Sequence, residues 1–297
     1  MLENYLKQVY LKNFYSNERR IRYIFEKRLG RELDLENPKR FTDKQQWLKL
    51  YWYDPLAIKC ADKYLVRDYV DNKIGKKYLN EIIGVYNSTK EISFENLPNQ
   101  FVLKGTHGSG FNIICKNKDK LNEKEVKKEM DLWLKKNYFW QNREWVYKDI
   151  KPRIICEKYL SEDENHNYLT DFKFFCFNGE PIYCQVIRDR GKNETIDFYD
   201  INWNHMPFNG LRELPMSGAK HHKPKKYSKM IELAKNLSGN FPFVRVDFYY
   251  IKDEIIFGEL TFFPLSGAGK FTPDEWDYKL GELLVLPNRR TDKSGHS

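Results

Sequence analysis

The sequence lacks the long apolar segments and the leader that would attach a chain to a membrane. None of its apolar runs approaches the roughly 20 residues that cross a bilayer. The first residues, MLENYLKQVYLKNFYSNERR, alternate apolar with charged positions and contain no apolar block of a signal peptide. We therefore expect a soluble, cytoplasmic protein without a membrane span, and a place beside a membrane-associated pathway is compatible with this.

Cysteine is scarce, and its spacing does not suit a metal site. The chain has five cysteines, which form no C-x-x-C pair and have no histidines at ligand spacing beside them. Most of them end or interrupt apolar, strand-like runs, which is typical of reduced, buried thiols. We predict neither zinc ligands nor a nucleophile among Cys60, Cys115, Cys156, Cys176 and Cys184.

Several motifs of nucleotide and nucleic-acid chemistry are also missing. There is no Walker motif, no Rossmann fingerprint and no Asp-x-Asp motif of many sugar-nucleotide transferases. The formal net charge is +9, but no basic block alternates with stacking aromatics, so we expect no nucleic-acid partner. The charge fits either a solvated lysine-rich surface or attraction to anions such as ATP, sugar nucleotides or an acidic polysaccharide.

What is present is the composition of a globular protein that begins with helices. The chain has 297 residues, 41% hydrophobic and 16% aromatic, enough for a sizeable core. Residues 1–53 show helical spacing of apolar side chains, with a capping box at Thr42 and Gln45. A further helix is predicted over residues 54–70, with three cations in one stripe that faces either solvent or an anion: Lys59, Lys63 and Arg67.

Beyond Gly75 the pattern changes to short strands. Asn178-Gly179 is a strong two-residue hairpin signal, and a second hairpin is predicted around Lys252-Asp253-Glu254. We find no internal repeat. Strands joined mostly by hairpins, with helices between them, predict an α+β fold in two lobes and not a doubly wound parallel sheet.

Two segments could contact a nucleotide. Lys104-Gly105-Thr106-His107-Gly108-Ser109-Gly110 lies between predicted strands, and glycines let backbone amides approach phosphate oxygens. Ile155-Cys156-Glu157-Lys158-Tyr159-Leu160 is an apolar strand that ends in charged residues, which suits a hinge that pairs with an adenine edge. An ordinary glycine hairpin and a strand that simply reaches the surface remain alternatives.

Charged side chains also fall on strands that are otherwise apolar. Lys173, in Asp171-Phe172-Lys173, is either at a sheet edge or aimed at an anion. Residues two apart share a strand face, so Arg245 projects with Asp247 and Glu259 with Thr261. If these strands pair, the two carboxylates converge, and they would repel each other unless a cation such as Mg²⁺ sits between them.

In this order, these elements resemble the ATP-grasp superfamily, and more closely the TupA-like ATP-grasp family, named for teichuronopeptide biosynthesis. The resemblance is carried by NPKRFTDKQQWLKLY, LPNQFVLKGTHGSG, TDFKFFCFNG and RVDFYYIKDEIIFGELTFFPLSG, and it covers most of residues 37–285. It implies an ATP-grasp fold in which two α+β lobes with antiparallel sheets clasp ATP. The expected parts are a helical region (1–53), a small lobe (54–160), a large lobe with the metal site (161–287) and a polar, disordered tail (288–297).

The resemblance also implies roles for particular residues. Lys104 would bind the α-phosphate side of ATP, and Lys63 and Lys173 would contact phosphates. Asp247 and Glu259 would ligate Mg²⁺, and Arg245 would act in catalysis with Lys173. Thr261 stands where these enzymes usually have Asn, so its place as a metal ligand is less secure. The loop Thr106, His107, Gly108, Ser109 and Gly110 would close over the β- and γ-phosphates, and Glu157, Lys158, Tyr159 and Leu160 would bind adenine and ribose.

The implied activity is ATP-dependent ligation of a carboxylate to an amine through an acyl phosphate, with release of ADP and phosphate. The family setting suggests a uronic acid or sugar, as a small molecule or oligosaccharide, in cell-surface polysaccharide assembly. A basic loop and hairpin end could bind an acidic sugar. A sugar kinase with the same nucleotide site, a glycosyltransferase of the same pathway and a non-catalytic anion-binding protein remain alternatives. The candidate sugar-binding residues are Arg188, Arg190, His221, His222 and Lys223.

Overall fold

The computed structural model describes residues 16–161, 169–189, 193–218 and 221–290. Over these ranges the chain forms helices and two main antiparallel sheets, as the sequence predicts. The helices are α1 (Asn17–Leu29), α2 (Phe41–Tyr51), α3 (Pro55–Ala61), α4 (Val66–Ile74), α5 (Glu123–Leu134), α6 (Phe139–Asn142), α7 (Tyr227–Ser238) and α8 (Glu275–Leu283).

The start of α2 is stabilised by a distant residue and not by the predicted capping box. The helix begins at Phe41, so Thr42 lies inside its first turn. The Thr42 amide donates to Asp277 Oδ1 at 2.9 Å, and the Thr42 hydroxyl donates to Asp277 Oδ2 at 2.6 Å. The side-chain amide of Gln45 is buried without a hydrogen-bond partner. A carboxylate of α8 therefore replaces the local cap, and the capping-box prediction is wrong.

The helix predicted over residues 54–70 is two helices, because Asp62 caps a new turn. Its Oδ1 atom accepts hydrogen bonds from the amides of Tyr64 and Leu65, and α4 begins only at Val66. The predicted basic stripe is therefore broken. Its members have separate partners: Lys59 pairs with Asp68, Lys63 donates to the Gly108 carbonyl, and Arg67 donates to the Asn80 carbonyl.

The two main sheets are antiparallel. The four-stranded sheet has the order β1-β4-β2-β3 and the five-stranded sheet the order β10-β9-β5-β6-β7, while β8 and β11 form a short pair. The strands are β1 (Ile82–Tyr86), β2 (Phe101–Gly105), β3 (Asn112–Cys115), β4 (Ile154–Lys158), β5 (Asp171–Phe177), β6 (Glu180–Arg188), β7 (Thr195–Asp200), β8 (Asn209–Gly210), β9 (Phe243–Ile251), β10 (Glu254–Thr261) and β11 (Phe271–Thr272).

Both predicted hairpins form, and both turns have positive φ. Asn178 and Gly179 have φ values of 50° and 88° between β5 and β6. Lys252 and Asp253 have φ values of 49° and 62° between β9 and β10. Two consecutive residues with positive φ make the turn that matches the twist of paired strands, so each hairpin register is fixed locally.

The hydrophobic residues form two cores, and the larger one includes residues from 57–70 and 139–150, which lie within the predicted small lobe. The smaller core, between Ile92 and Cys156, lies against the four-stranded sheet. The larger core surrounds the five-stranded sheet and also takes in residues of α2, α3 and α4 and the segment 139–150. The helices at residues 55–74 therefore pack with the large lobe, although they precede the small-lobe strands in the chain.

The cysteines lie in the hydrophobic interior, and the last described residue contacts the end of α2. All five cysteines are buried and unpaired, as expected, and burial raises the pKa of the Cys60 and Cys156 thiols to about 12. The start of the predicted disordered tail is packed: the Arg290 amide donates to the Tyr51 carbonyl at 3.1 Å. The rest of the tail, 291–297, lies outside the described residues. Within the described part of the chain, no helix is long and apolar enough to cross a membrane.

Candidate functional site

A cleft of 670 Å³ is lined by residues of both main sheets. The four-stranded sheet contributes one wall, and the charged face of the five-stranded sheet contributes the other. Most of the residues singled out from the sequence line this cleft: Lys63, Lys104, Ser109, Gly110, Glu157, Lys158, Tyr159, Leu160, Lys173, Arg245, Asp247 and Glu259.

The small-lobe wall combines an ion pair with apolar surface. In the register of β2 and β4, Val102 opposes Glu157, so Lys104 lies diagonally from Glu157 on the same face. Lys104 Nζ lies 2.6 Å from Glu157 Oε2. Val102 and Ile114 line the cleft beside this pair. This wall therefore offers apolar side chains next to one positive and one negative side chain.

The end of β4 is held by hydrogen bonds to Asn80 and Glu81. The Lys158 amide donates to the Glu81 carbonyl at 3.0 Å, and the Asn80 side chain donates to the Lys158 carbonyl at 2.9 Å. Both main-chain groups of Lys158 are thus engaged, while the next two residues, Tyr159 and Leu160, also line the cleft.

The glycine-rich loop is divided into a buried half and an exposed half. Thr106, His107 and Gly108 are buried and do not line the cleft, whereas Ser109 and Gly110 are exposed and do. A Cβ atom on Gly108 would lie 2.8 Å from the Phe111 ring, so a larger residue does not fit there. Gly110 has φ +78°, a conformation that favours glycine.

His107 anchors the buried half of the loop. Its Nε2 atom lies 2.8 Å from the Trp133 carbonyl, which can only accept, so Nε2 carries the proton. Its Nδ1 atom is buried without a partner, and burial lowers the pKa of His107. His107 is therefore a neutral side chain that fixes the loop to α5, and in this geometry it does not face the cleft.

Lys63 connects the glycine loop to the cleft. Its amide donates to the Thr106 carbonyl at 3.2 Å, and its Nζ atom donates to the Gly108 carbonyl at 2.6 Å. Burial lowers the pKa of Lys63, although the carboxylate of Glu259 opposes this. The side chain thus brings positive charge to the junction of the loop and the large lobe.

The two predicted metal carboxylates are direct cross-strand neighbours. Asp247 opposes Glu259 and Arg245 opposes Thr261 in the register of β9 and β10, with a bulge at Gly258. A Cβ atom on Gly258 would lie 3.1 Å from the Asp247 carbonyl oxygen, so the close approach favours glycine. The sequence prediction that these carboxylates would converge therefore agrees with the strand register.

A guanidinium group lies between the carboxylates. Arg245 donates through Nε to Asp247 Oδ1 and through Nη2 to Asp247 Oδ2, both at 2.7 Å. The same Nη2 atom is 3.1 Å from Glu259 Oε1 and 3.1 Å from the Thr261 hydroxyl. Burial alone would lower the pKa of Arg245, but Asp247 outweighs it and raises the pKa. The guanidinium is therefore charged at any physiological pH.

Lys173 completes this charged face. It opposes Asp247 in the register of β5 and β9, and its Nζ atom contacts Asp247 Oδ2 closely. The same Nζ atom is 3.2 Å from Asp171 Oδ1. Lys173, Asp171 and Asp247 are all buried. The lysine is thus aimed at anions inside the cleft and is not at a sheet edge.

Glu259 is ionised in this setting. Burial opposes its negative charge, but Lys63, Arg245 and Lys173 outweigh burial and lower its pKa to about 2. The Thr261 hydroxyl donates to Glu259 Oε1 at 2.9 Å, which fixes the carboxylate orientation. Thr261 itself does not line the cleft.

The donor chemistry of the large-lobe wall fits Mg²⁺, a cation that prefers hard oxygen ligands. Asp247 and Glu259 present carboxylate oxygens on one sheet face beside the cleft. Among the described residues, however, no group of three or more acidic, histidine or cysteine side chains is arranged to hold a metal. Instead, Arg245 contacts both Asp247 and Glu259, and Lys173 contacts both Asp171 and Asp247.

Of the residues suggested for binding an acidic sugar, those that the structure describes do not line the cleft. The ring of His221 is 2.9 Å from the Ser217 hydroxyl, and its Nε2 atom is 3.6 Å from Asp197 Oδ2. Arg188, His222 and Lys223 are also absent from the cleft lining, and Arg190 lies outside the described residues. The suggestion that these side chains bind the acceptor is not supported by their positions.

The sequence prediction assigned no role to several residues that line the cleft. Asp171 could have been found, because it shares a strand face with Lys173. Tyr249 could have been found in the same way, because it shares a strand face with Asp247. Arg67, a member of the predicted basic stripe, also lines the cleft. The others come from segments whose approach depends on the tertiary fold: Asn80, Gln185, Ile187, Leu211, Arg212 and Leu265.

Comparisons with known proteins give one family and a set of distant structures. A family model described as TupA-like ATPgrasp matches residues 43–285. The D-alanine–D-alanine ligase of Bacillus anthracis matches with TM-score 0.43 and 16% identity, over 76% of this chain and 66% of that chain. The corresponding enzyme of Helicobacter pylori matches with TM-score 0.42 and 15% identity, over 84% and 70%.

A third match is the ATP-grasp ligase PsnB with a minimal precursor, with TM-score 0.37 and 10% identity, over 71% and 55% of the two chains. This chain spans about half to two thirds of the first structures that it matches. Likenesses this distant carry no argument about activity. The comparison with curated proteins found no match.

Proposed function

Because the chain belongs to the TupA-like ATP-grasp family, we propose that it is an ATP-dependent ligase that joins a carboxylate to an amine through an acyl phosphate. The observation that carries the proposal is the register pairing of Asp247 with Glu259, on a cleft that also contains Lys104 and Lys173. Such a cleft presents cations for phosphate oxygens and carboxylates for a divalent metal in one space.

In the proposed reaction, a carboxylate oxygen attacks the γ-phosphorus of ATP and ADP leaves, which gives an acyl phosphate. An amine nitrogen then attacks the acyl carbon, phosphate leaves with the bonding electrons, and the nitrogen loses a proton to give the amide. Phosphorylation is needed because a carboxylate would otherwise have to expel oxide, a very poor leaving group. The main task of the protein is then to offset charge on the transferred phosphoryl group.

The chain has a side chain for each part of this task. Lys104 and Lys173, on opposite walls of the cleft, bind phosphate oxygens in this proposal, and Arg245 offsets charge that develops on the phosphoryl group or the tetrahedral intermediate. Asp247 and Glu259 are the residues that would hold Mg²⁺, which supplies further neutralisation of phosphate charge when bound. We assign Thr261 to orienting Glu259, since its hydroxyl donates to that carboxylate.

The nucleotide base is proposed to lie against the small-lobe wall. Val102 and Ile114 would provide apolar contacts, and the peptide groups of Tyr159 and Leu160, which also line the cleft, would pair with the edge of the base. Ser109 and Gly110, the exposed half of the glycine loop, are proposed to close over the phosphates. Excluding water in this way would protect an acyl phosphate from hydrolysis.

The substrates are proposed from the family resemblance. They are a uronic acid or another sugar carboxylate, free or in an oligosaccharide, and an amine. Their setting would be the assembly of cell-surface polysaccharide. Gln185, Tyr249 and Arg212 also line the cleft, and their polar and positive side chains would suit a polar, anionic molecule.

The test is a screen of ADP release against a panel of uronic acids and amines. We expect release that depends on both a carboxylate and an amine, and transfer of ¹⁸O from a labelled carboxylate to phosphate. Asp247→Asn should abolish release. Asp253→Asn, the same substitution in the exposed turn at the far end of β9, should not. A stable phosphorylated product formed without amine would instead identify a kinase, and no ATP turnover with any mixture would contradict the enzyme assignment.

A further inference from the structure

The cation position beside Asp247 is filled by a side chain of the protein itself. Lys173 Nζ lies between Asp247 Oδ2 and Asp171 Oδ1, in contact with the former and 3.2 Å from the latter. The ammonium group is nearly enclosed, with a side-chain exposure of 7%. Because β5 is paired between β6 and β9, the sheet register places this lysine opposite Asp247.

Asp247 has little acceptor capacity left in this arrangement. A carboxylate has about four lone-pair positions. Arg245 takes one on each oxygen, at 2.7 Å, and Lys173 takes a second on Oδ2. A metal ion could therefore reach Oδ2 only after one of these cations has moved.

The local charges are also balanced. Lys173 pairs with Asp171 and Asp247, and Arg245 pairs with Asp247 and Glu259. Lys63 adds a third positive charge that acts on Glu259. These three cations and three carboxylates have no net charge. A divalent ion entering this balanced group gains no net attraction, and at close range it is repelled by the ammonium and the guanidinium. Further negative charge in the cleft, such as that of nucleotide phosphates, shifts this balance in favour of a divalent ion.

We propose that Lys173 occupies the metal position on Asp247 until nucleotide phosphates draw it away, so that the cleft binds a divalent cation only together with a nucleotide. The inference rests on the proposed function and adds an order of events to it. Phosphate oxygens offer Lys173 a new partner, and Asp171 keeps the lysine inside the cleft while it moves. Lys173 is then the residue that couples metal binding to nucleotide binding.

The test measures Mn²⁺ binding by water proton relaxation, which is enhanced when the ion is held on the slowly tumbling protein. Wild-type protein with Mn²⁺ alone should show no saturable enhancement below roughly 1 mM, the weak end of protein sites for divalent cations. Adding the β,γ-imido analogue of ATP should produce a saturable enhancement. Lys173→Met should bind Mn²⁺ without nucleotide at least about tenfold more tightly than wild type, since a unit charge a few ångströms away has been removed.

Lys225→Met is the matched control. It removes an exposed lysine that pairs with Asp253 and does not line the cleft, so nucleotide-free Mn²⁺ binding should stay at the wild-type level. Lys173→Gln, which keeps a hydrogen-bond donor, is a second variant in case the methionine does not fold. Near-ultraviolet circular dichroism monitors folding.

The outcomes separate the inference from the proposed function. Wild-type protein that binds Mn²⁺ equally well with and without nucleotide overturns the inference alone. Unchanged nucleotide-free binding in folded Lys173→Met or Lys173→Gln does the same. If the wild-type protein shows neither Mn²⁺ enhancement nor a thermal shift with the nucleotide analogue, the proposed function falls, and the inference with it.

Discussion

Replacing Glu259 by Gln tests the charge balance of the cleft and the proposed metal site together. Burial opposes ionisation of Glu259, but Lys63, Arg245 and Lys173 lower its pKa from 4.5 to about 2. At about 1.4 kcal/mol per pKa unit, this corresponds to roughly 3 kcal/mol in favour of the ionised form. The side chain is 39% exposed, and solvent screening reduces the expected contribution to about 1–2 kcal/mol.

The sign of the pH dependence follows from the direction of the shift. Because the pKa is lower in the folded protein than in the unfolded chain, the stabilisation is present above the unfolded value of 4.5 and is lost as the pH falls toward 2. Glu259→Gln should therefore lower the free energy of unfolding by about 1–2 kcal/mol at neutral pH. The difference from wild type should shrink in acid. Urea unfolding followed by tryptophan fluorescence measures both effects.

A matched control and an activity measurement complete the test. Glu254→Gln changes an exposed residue at the other end of β10 and should leave stability nearly unchanged. Loss of a metal ligand at Glu259 should reduce ATP turnover by at least about a hundredfold. A Glu259→Gln protein as stable as wild type at neutral pH refutes the charge argument, and a fully active one refutes the metal assignment.

Three further substitutions separate binding from stability. Lys104→Met should weaken ADP binding by at least about tenfold, because a phosphate partner is lost; an unchanged Kd by calorimetry would contradict that role. Gly108→Ala places a Cβ atom 2.8 Å from the Phe111 ring, so it should lower the free energy of unfolding by about 1–3 kcal/mol and weaken ADP binding. Wild-type stability and ADP affinity in this variant would show that the loop is less constrained. Asp277→Ala removes the carboxylate that caps α2 at Thr42. It should lower the free energy of unfolding by about 3 kcal/mol and leave the ADP affinity unchanged. A weaker ADP affinity would contradict a purely structural role.

The parts of the fold that local chemistry determines could be predicted from the sequence. Alternation along the strands and the turn at Asn178-Gly179 predict an antiparallel hairpin, which the fold contains. The same reasoning on β9 and β10 predicts that Asp247 and Glu259 meet, and the register agrees. The α+β class and the family are confirmed. The family could be predicted because the order of the motifs is more specific than any single motif.

The remaining features depend on contacts between distant parts of the chain. Asp277 caps a helix that begins more than two hundred residues earlier, so no local motif predicts it. Asp62 divides a helix that the apolar spacing presents as continuous. His107 forms a hydrogen bond with the Trp133 carbonyl of α5, a partner that the glycine-rich pattern does not predict.

The contacts between charged side chains in the cleft also could not be predicted from the sequence. The pattern places two carboxylates and two cations on one sheet face, but it does not specify which oxygen accepts from which donor. That Arg245 bridges Asp247 and Glu259, and that Lys173 bridges Asp171 and Asp247, depends on rotamers inside the folded sheet.

The most direct test of the central claim is anomalous scattering from a crystal grown with Mn²⁺ and the β,γ-imido analogue of ATP. We predict a manganese peak about 2.1 Å from oxygen atoms of Asp247 and Glu259. We also predict a triphosphate in the cleft, between Lys104 and a displaced Lys173. A manganese peak away from these carboxylates, or a nucleotide bound outside the cleft, would contradict the central claim.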